Sequence, residues 1–124
     1  MLIRYHSYPP FAATDNNPER KLLKIASNGE LAKGFTLRKL CILERADVLG
    51  RISNNADDYL DRIGYCEMLA DDICCMDAPY TFADTYSKRA FFRGSIKWRD
   101  QKLYNDAWGE VIMLAGLPGT GKDT

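Results

Sequence analysis

The sequence predicts a mainly α-helical unit over roughly its first hundred residues, followed by the first β-strand and glycine-rich loop of a truncated α/β domain. Three observations carry this expectation. Apolar residues recur at helical spacing in several segments between residues 17 and 92. Val111-Ile112-Met113-Leu114-Ala115 is a continuous apolar run, the pattern of a strand buried on both faces of a parallel sheet. That run leads into Gly116-Leu117-Pro118-Gly119-Thr120-Gly121-Lys122, which has the G-x-x-x-x-G-K spacing of a Walker A loop.

The first helix starts at Asn17-Pro18-Glu19, with Asn as N-cap, Pro at the first helical position and an acid in the first turn. Leu22, Leu23, Ile25 and Ala26 form its apolar side, and Asn28-Gly29 is the stop. A second helix, at about 33–50, carries Leu37, Leu40, Cys41, Leu43 and Val48 and ends at Gly50. Asn54 or Asn55 caps a third, with Leu60, Ile63, Cys66, Leu69, Ala70 and Ile73 along one side. Pro79 separates this from a shorter helical piece around 82–92. Residues 94–109 lack periodicity and are expected to link the helical part, 1–93, to the segment 110–124 that opens the α/β domain.

Composition narrows the functional classes. Seventeen basic residues balance seventeen acidic ones, which excludes a bulk polycation but leaves room for a local basic patch. No apolar run approaches the ~20 residues of a transmembrane helix, so no membrane partner is expected. Met1-Leu2-Ile3-Arg4-Tyr5-His6 has neither the apolar core nor the cleavage site of a secretory signal. Cys41, Cys66, Cys74 and Cys75 form no C-x-x-C, and His6 is the single histidine, so a Cys/His zinc site is not expected. Reduced thiols packing as small hydrophobes, in a cytoplasmic protein, are the expectation.

The glycine-rich loop has the composition that phosphate binding requires. Gly116, Gly119 and Gly121 let the backbone turn sharply so that its N–H groups converge on phosphate oxygens. Lys122 is the candidate catalytic residue, reaching the β- and γ-phosphates of ATP. Leu117, Pro118 and Thr120 complete the cradle, and Asp123 and Thr124 follow where a magnesium ligand is needed. Asp123 occupies the place usually held by Ser or Thr, so the Mg2+ ligand departs from the common pattern. A P-loop fold needs further strands and a Walker B acid, and the chain is therefore expected to be a fragment cut inside its nucleotide-binding domain.

Two residues of the helical part are candidate metal ligands. Asp47 lies four residues after Leu43 and seven after Leu40, on the same side of its helix as apolar residues. A buried carboxylate there needs a cation, a metal or several donors; a salt bridge to Arg45 or Arg51 is the structural alternative. His6, beside Tyr5 and the Pro9-Pro10 pair, is either a ligand or a satisfied structural histidine. Between residues 88 and 102, Lys88, Arg89, Arg93, Lys97, Arg99 and Lys102 interleave with Phe91, Phe92 and Trp98. Cations for phosphates and aromatic faces for bases are what a single-strand-binding surface requires; a solvated linker is the competing reading.

The run Ile3-Arg4-Tyr5-His6-x-x-Pro9, followed by Arg45-Ala46-Asp47-Val48-Leu49-Gly50-Arg51, resembles the closing section of an HD-superfamily phosphohydrolase domain. The segment Cys75-Met76-Asp77-Ala78-Pro79-Tyr80-Thr81-Phe82-Ala83 and the junction from Glu110-Val111 to Lys122-Asp123-Thr124 are similar to proteins that fuse such a domain to a P-loop kinase. These include bacterial HD-phosphohydrolase/polynucleotide-kinase end-healing enzymes, some of whose relatives carry the generic name AAA-family ATPase. The resemblance implies that Asp47 closes a divalent-metal pocket and that His6 belongs to the same pocket. The His-Asp doublet that names the family is missing, so this chain by itself is not expected to hydrolyse phosphate esters. The resemblance further implies a fragment of an ATP-binding kinase fused to an HD-type phosphohydrolase, phosphorylating 5′-hydroxyl polynucleotide ends. Two alternatives are a P-loop kinase or ATPase acting on a small metabolite or nucleotide, and a non-enzymatic helical interaction module.

Overall fold

The computed structural model of the chain describes residues 1–104, 113 and 115. The described part is mainly helical, as the apolar spacing predicts. A single turn, α1 (Leu2–Tyr5), and a 3-10 segment at Pro9–Thr14 precede α2 (Pro18–Ala26). A second 3-10 turn, Ser27–Glu30, leads toward α3 (Leu37–Gly50), α4 (Ala56–Asp72) and α5 (Thr85–Arg93). The loop 116–124 and residues 111, 112 and 114 of the expected strand lie outside the described residues.

Capping chemistry sets most of the boundaries. The Asn17 side chain accepts the backbone N–H of Arg20 at 3.1 Å, and Pro18 follows at the first helical position, so α2 starts where the sequence places it. The second helix begins four residues later than its apolar spacing implies. Gly34 adopts φ +83°, which breaks the helical path, and Thr36 then caps α3 by accepting from the Lys39 N–H. Likewise α5 begins at Thr85 rather than near 82, because the Asp84 carboxylate accepts from Ser87 N–H at 2.6 Å. Phe82 sits ahead of the helix in an aromatic cluster with Tyr80, Phe91 and Phe92, at centroid separations of 4.9–5.6 Å.

The core lies where α2, α3 and α4 meet. Leu22, Leu23 and Ile25 from α2, and Leu37, Leu40 and Cys41 from α3, are essentially inaccessible, as are Ile63, Cys66 and Ala70 from α4. The Pro9–Thr14 segment packs along α4 and buries Pro9, Pro10 and Ala12. Tyr8 donates to the Asp15 carboxylate at 2.8 Å across that segment. The facing helices α3 and α4 are also joined by a bidentate ion pair, Arg45 to Glu67 at 3.0 and 2.8 Å.

Residues 94–104, within the stretch expected to be a linker, are anchored on the helical unit. Ile96 is buried in the core, and Arg99 bonds Glu19 of α2 at 2.6 Å. The buried hydroxyl of Ser87 accepts the Leu103 N–H at 2.9 Å. Gly94 turns the chain out of α5 with φ +84°, the left-handed C-cap conformation. All four cysteines are free, and Cys41, Cys66 and Cys75 are buried, as expected of thiols used for packing. Burial pushes the Cys75 thiol up to about 12, which leaves it protonated and unreactive.

Candidate functional site

His6 and Asp47, far apart in the sequence, line one cavity of about 300 Å3. The turn after α1 supplies His6 and Ser7, the Pro9–Thr14 segment supplies Pro10, α3 supplies Glu44, Asp47 and Val48, and Arg51 follows at the end of that helix. Ser53, Asn55 and Tyr59, around the start of α4, close the far side. Glu44, Asp47 and Val48 share a wall because positions 44, 47 and 48 recur at helical spacing, and Arg51, just past the helix, is tied to that wall by its ion pair with Asp47.

Among the described residues the most deeply buried carboxyl side chain is one that apolar spacing alone does not single out. Glu44 is only 6% exposed, and its Oε2 is buried with no hydrogen-bond partner among the described residues. Burial, reinforced by the nearby Asp47 charge, holds its carboxyl above the usual carboxylate range, although His6 and Arg51 pull the other way. Asp47, by contrast, is only half-buried and ion-paired with Arg51 one turn on. Asp47 keeps its seven-residue phase with the inaccessible Leu40 but lies at the margin of the core stripe, where the salt-bridge alternative to Arg51 describes it. Of its two reference residues, Leu40 is inaccessible and Leu43 is exposed, which puts Asp47 between core and solvent. The true core stripe runs Leu37, Leu40, Cys41, Glu44 and Val48. An acid four residues after Leu40 and four before Val48 is the signal that would have found Glu44.

His6 is half-buried, and its Nδ1 lies 2.7 Å from the Ile3 carbonyl oxygen. That contact makes Nδ1 the donor and leaves Nε2 as the ring's free nitrogen in the neutral form. Ring orientation by a backbone carbonyl is common for metal-ligating histidines, and equally serves a structural one.

The cavity does not fit a self-sufficient metal centre. Among the described residues no group of three or more His, Cys, Asp or Glu side chains is arranged to hold a metal ion. Asp47 is committed to Arg51, and Glu44 keeps its free oxygen inaccessible. A hydrolytic metal needs about three protein ligands and an open position.

The remaining candidate residues, Gly116, Leu117, Pro118, Gly119, Thr120, Gly121, Lys122, Asp123 and Thr124, lie outside the described residues. The basic stretch 88–102 is described in full and does not present one continuous face. Lys88 is bound by Glu30 at 2.7 Å, Arg99 by Glu19, and Phe91 is buried. Lys97 lies 4.9 Å from the ring centroid of its neighbour Trp98, which is exposed. No helix of the described residues is long and apolar enough to cross a membrane. No family model matches the chain, and neither a curated protein nor a solved structure shows significant similarity to it.

Proposed function

We propose that residues 110–124 open an ATP-binding P-loop kinase unit, that residues 1–93 belong to an HD-type helical unit, and that the protein acts in the cytoplasm on polynucleotide 5′-hydroxyl ends. The observation that carries this reading is the spacing Gly116-x-x-x-x-Gly121-Lys122 directly after an apolar run. That His6 and Asp47, from distant parts of the sequence, line one cavity supports the HD-type part. The missing His-Asp doublet is the reason this reading assigns no unaided phosphate hydrolysis to the stretch.

In this reading the backbone N–H groups of 116–122 hold the phosphate oxygens of ATP, and the Lys122 ammonium stabilises charge spreading over the γ-phosphoryl oxygens in the transition state. The acceptor hydroxyl attacks in line, the bond from the γ-phosphorus to its bridging oxygen breaks, and ADP leaves. Magnesium, when bound, neutralises charge shared by the β- and γ-phosphates; Asp123 or Thr124 would hold it. The Asp123 carboxylate repels phosphate unless a cation lies between them, which is why it is assigned to the magnesium side.

The test is phosphorylation of a 5′-hydroxyl oligonucleotide by a chain that includes the whole P-loop domain. Lys122→Ala should lower kcat by orders of magnitude while the helical circular dichroism signal is unchanged. Wild-type turnover in that variant rejects the P-loop assignment. Phosphorylation of nucleosides but not of oligonucleotides would transfer the reading to a small-molecule kinase.

A further inference from the structure

The cations of the stretch 88–102 that remain free in the fold do not stand alone. Arg89 and Arg93, one turn apart on α5, are exposed and have no ion-pair partner among the described residues. Lys21 and Lys24 of α2 are likewise exposed and unpaired among those residues. Phe92 stands between the two sets. It lines one concavity of about 390 Å3 with Lys88, Arg89 and Arg93. It also lines a second, of about 340 Å3, with Arg20, Lys21 and Lys24. Asp15 is the one acid on the walls of either. It is already occupied, accepting from the Asn17 N–H and the Tyr8 hydroxyl.

The floor of this cleft is built rather than incidental. The Arg20 guanidinium lies 5.1 Å from the centroid of the buried Phe91 ring, and its Nε is buried without an acceptor among the described residues. A side chain at position 94 would bring a Cβ to 3.3 Å from Arg20 Nη1, so Gly94 gives that guanidinium its room. Phe92 is fixed in the aromatic cluster at 5.5 Å from Phe82 and 5.4 Å from Phe91.

We propose that this Phe92-centred cleft between α2 and α5 binds the phosphate backbone of a single-stranded nucleic acid, with a base stacked on Phe92. Two groups of cations flanking one aromatic ring match a polymer that alternates anions with flat π-faces. An acidic peptide offers the anions but no face for Phe92. A bilayer calls for a protruding apolar wedge, whereas Phe92 is half-buried between two hollows. The proposal deepens the polynucleotide reading by giving the strand a place on the helical unit. It stands on α2 and α5 alone, so failure of the P-loop assignment leaves it intact.

Anisotropy of a short labelled single-stranded oligonucleotide, titrated with the chain and with its Lys122→Ala variant, tests it. Both proteins should bind alike. Four neutralised phosphates at about −0.7 each give a slope of about −3 for log K against log salt between about 50 and 200 mM. Lys24→Ala and Arg93→Ala, both at exposed positions, should each flatten that slope by about 0.7. Phe92→Leu keeps the apolar bulk but removes the stacking face, and should weaken binding about tenfold. Lys33→Ala, in the loop before α3, should change nothing. A flat salt dependence, or unchanged affinity in Lys24→Ala and Arg93→Ala, overturns the proposal. So does displacement by poly-glutamate as effective as by unlabelled strand, or equal affinity for vesicles rich in anionic lipid.

Discussion

Glu44 should make the stability of the helical unit fall as pH rises, and replacing it should remove that fall. The carboxyl is 6% exposed, one of its oxygens has no partner among the described residues, and Asp47 lies on the same wall. Its folded pKa is raised, chiefly by burial and then by Asp47, so over the interval between the unfolded and folded values the native state binds the extra proton. Stability then decreases with pH across that interval, is unaffected below the unfolded value of about 4.3, and has lost the full amount above the folded one. A buried group left without a partner costs about 1–3 kcal/mol. Glu44→Met, which fills the same stripe without the charge, should therefore raise stability at pH 8 by about that amount, or about 4–8 °C in Tm per kcal/mol for a domain near 100 residues. At pH 4 the two proteins should differ far less. Urea titrations of both proteins at half-unit steps from pH 4 to 8.5 give the difference directly. His6, Asp47 and Arg51 face the same cavity and are the same residues in both proteins, so the comparison isolates the carboxyl at position 44. A difference that is constant with pH, or that grows toward pH 4, would refute the reasoning.

Two further outcomes follow from the packing. Gly94→Ala should cost about 1–2 kcal/mol in urea denaturation, because φ is +84° there and the added Cβ meets the Arg20 guanidinium at 3.3 Å. Of the four thiols, Cys74 is the exposed one, and a native-state thiol-disulfide reagent should label it rapidly. Cys41, Cys66 and Cys75 should react only on the timescale of unfolding, and rapid labelling of more than one thiol would contradict the buried core.

What could be read from the sequence divides along a physical line, between local chemistry and contacts made by distant segments. The start of α2 was legible because an N-cap and a first-turn proline act within four residues, and the structure keeps both. The starts of α3 and α5 shift by a few residues for reasons that apolar spacing does not contain: a left-handed Gly34, and an aromatic cluster that holds Phe82 ahead of the Asp84 cap. The same line runs through the candidate site. Resemblance to HD-type sequences put His6 and Asp47 together, and both do line one cavity. Apolar spacing drew attention to Asp47 rather than to Glu44, the buried acid among the residues lining that cavity. For the basic stretch, composition identified the residue types but not their neighbours. Glu19 and Glu30 bind two of its cations, while Lys21 and Lys24, about seventy residues earlier, join two others across Phe92. A charge run read along the chain thus becomes a cleft only after α2 and α5 have packed, because the packing decides which cations keep a carboxylate and which face solvent. The net charge of the chain, zero, carries none of this.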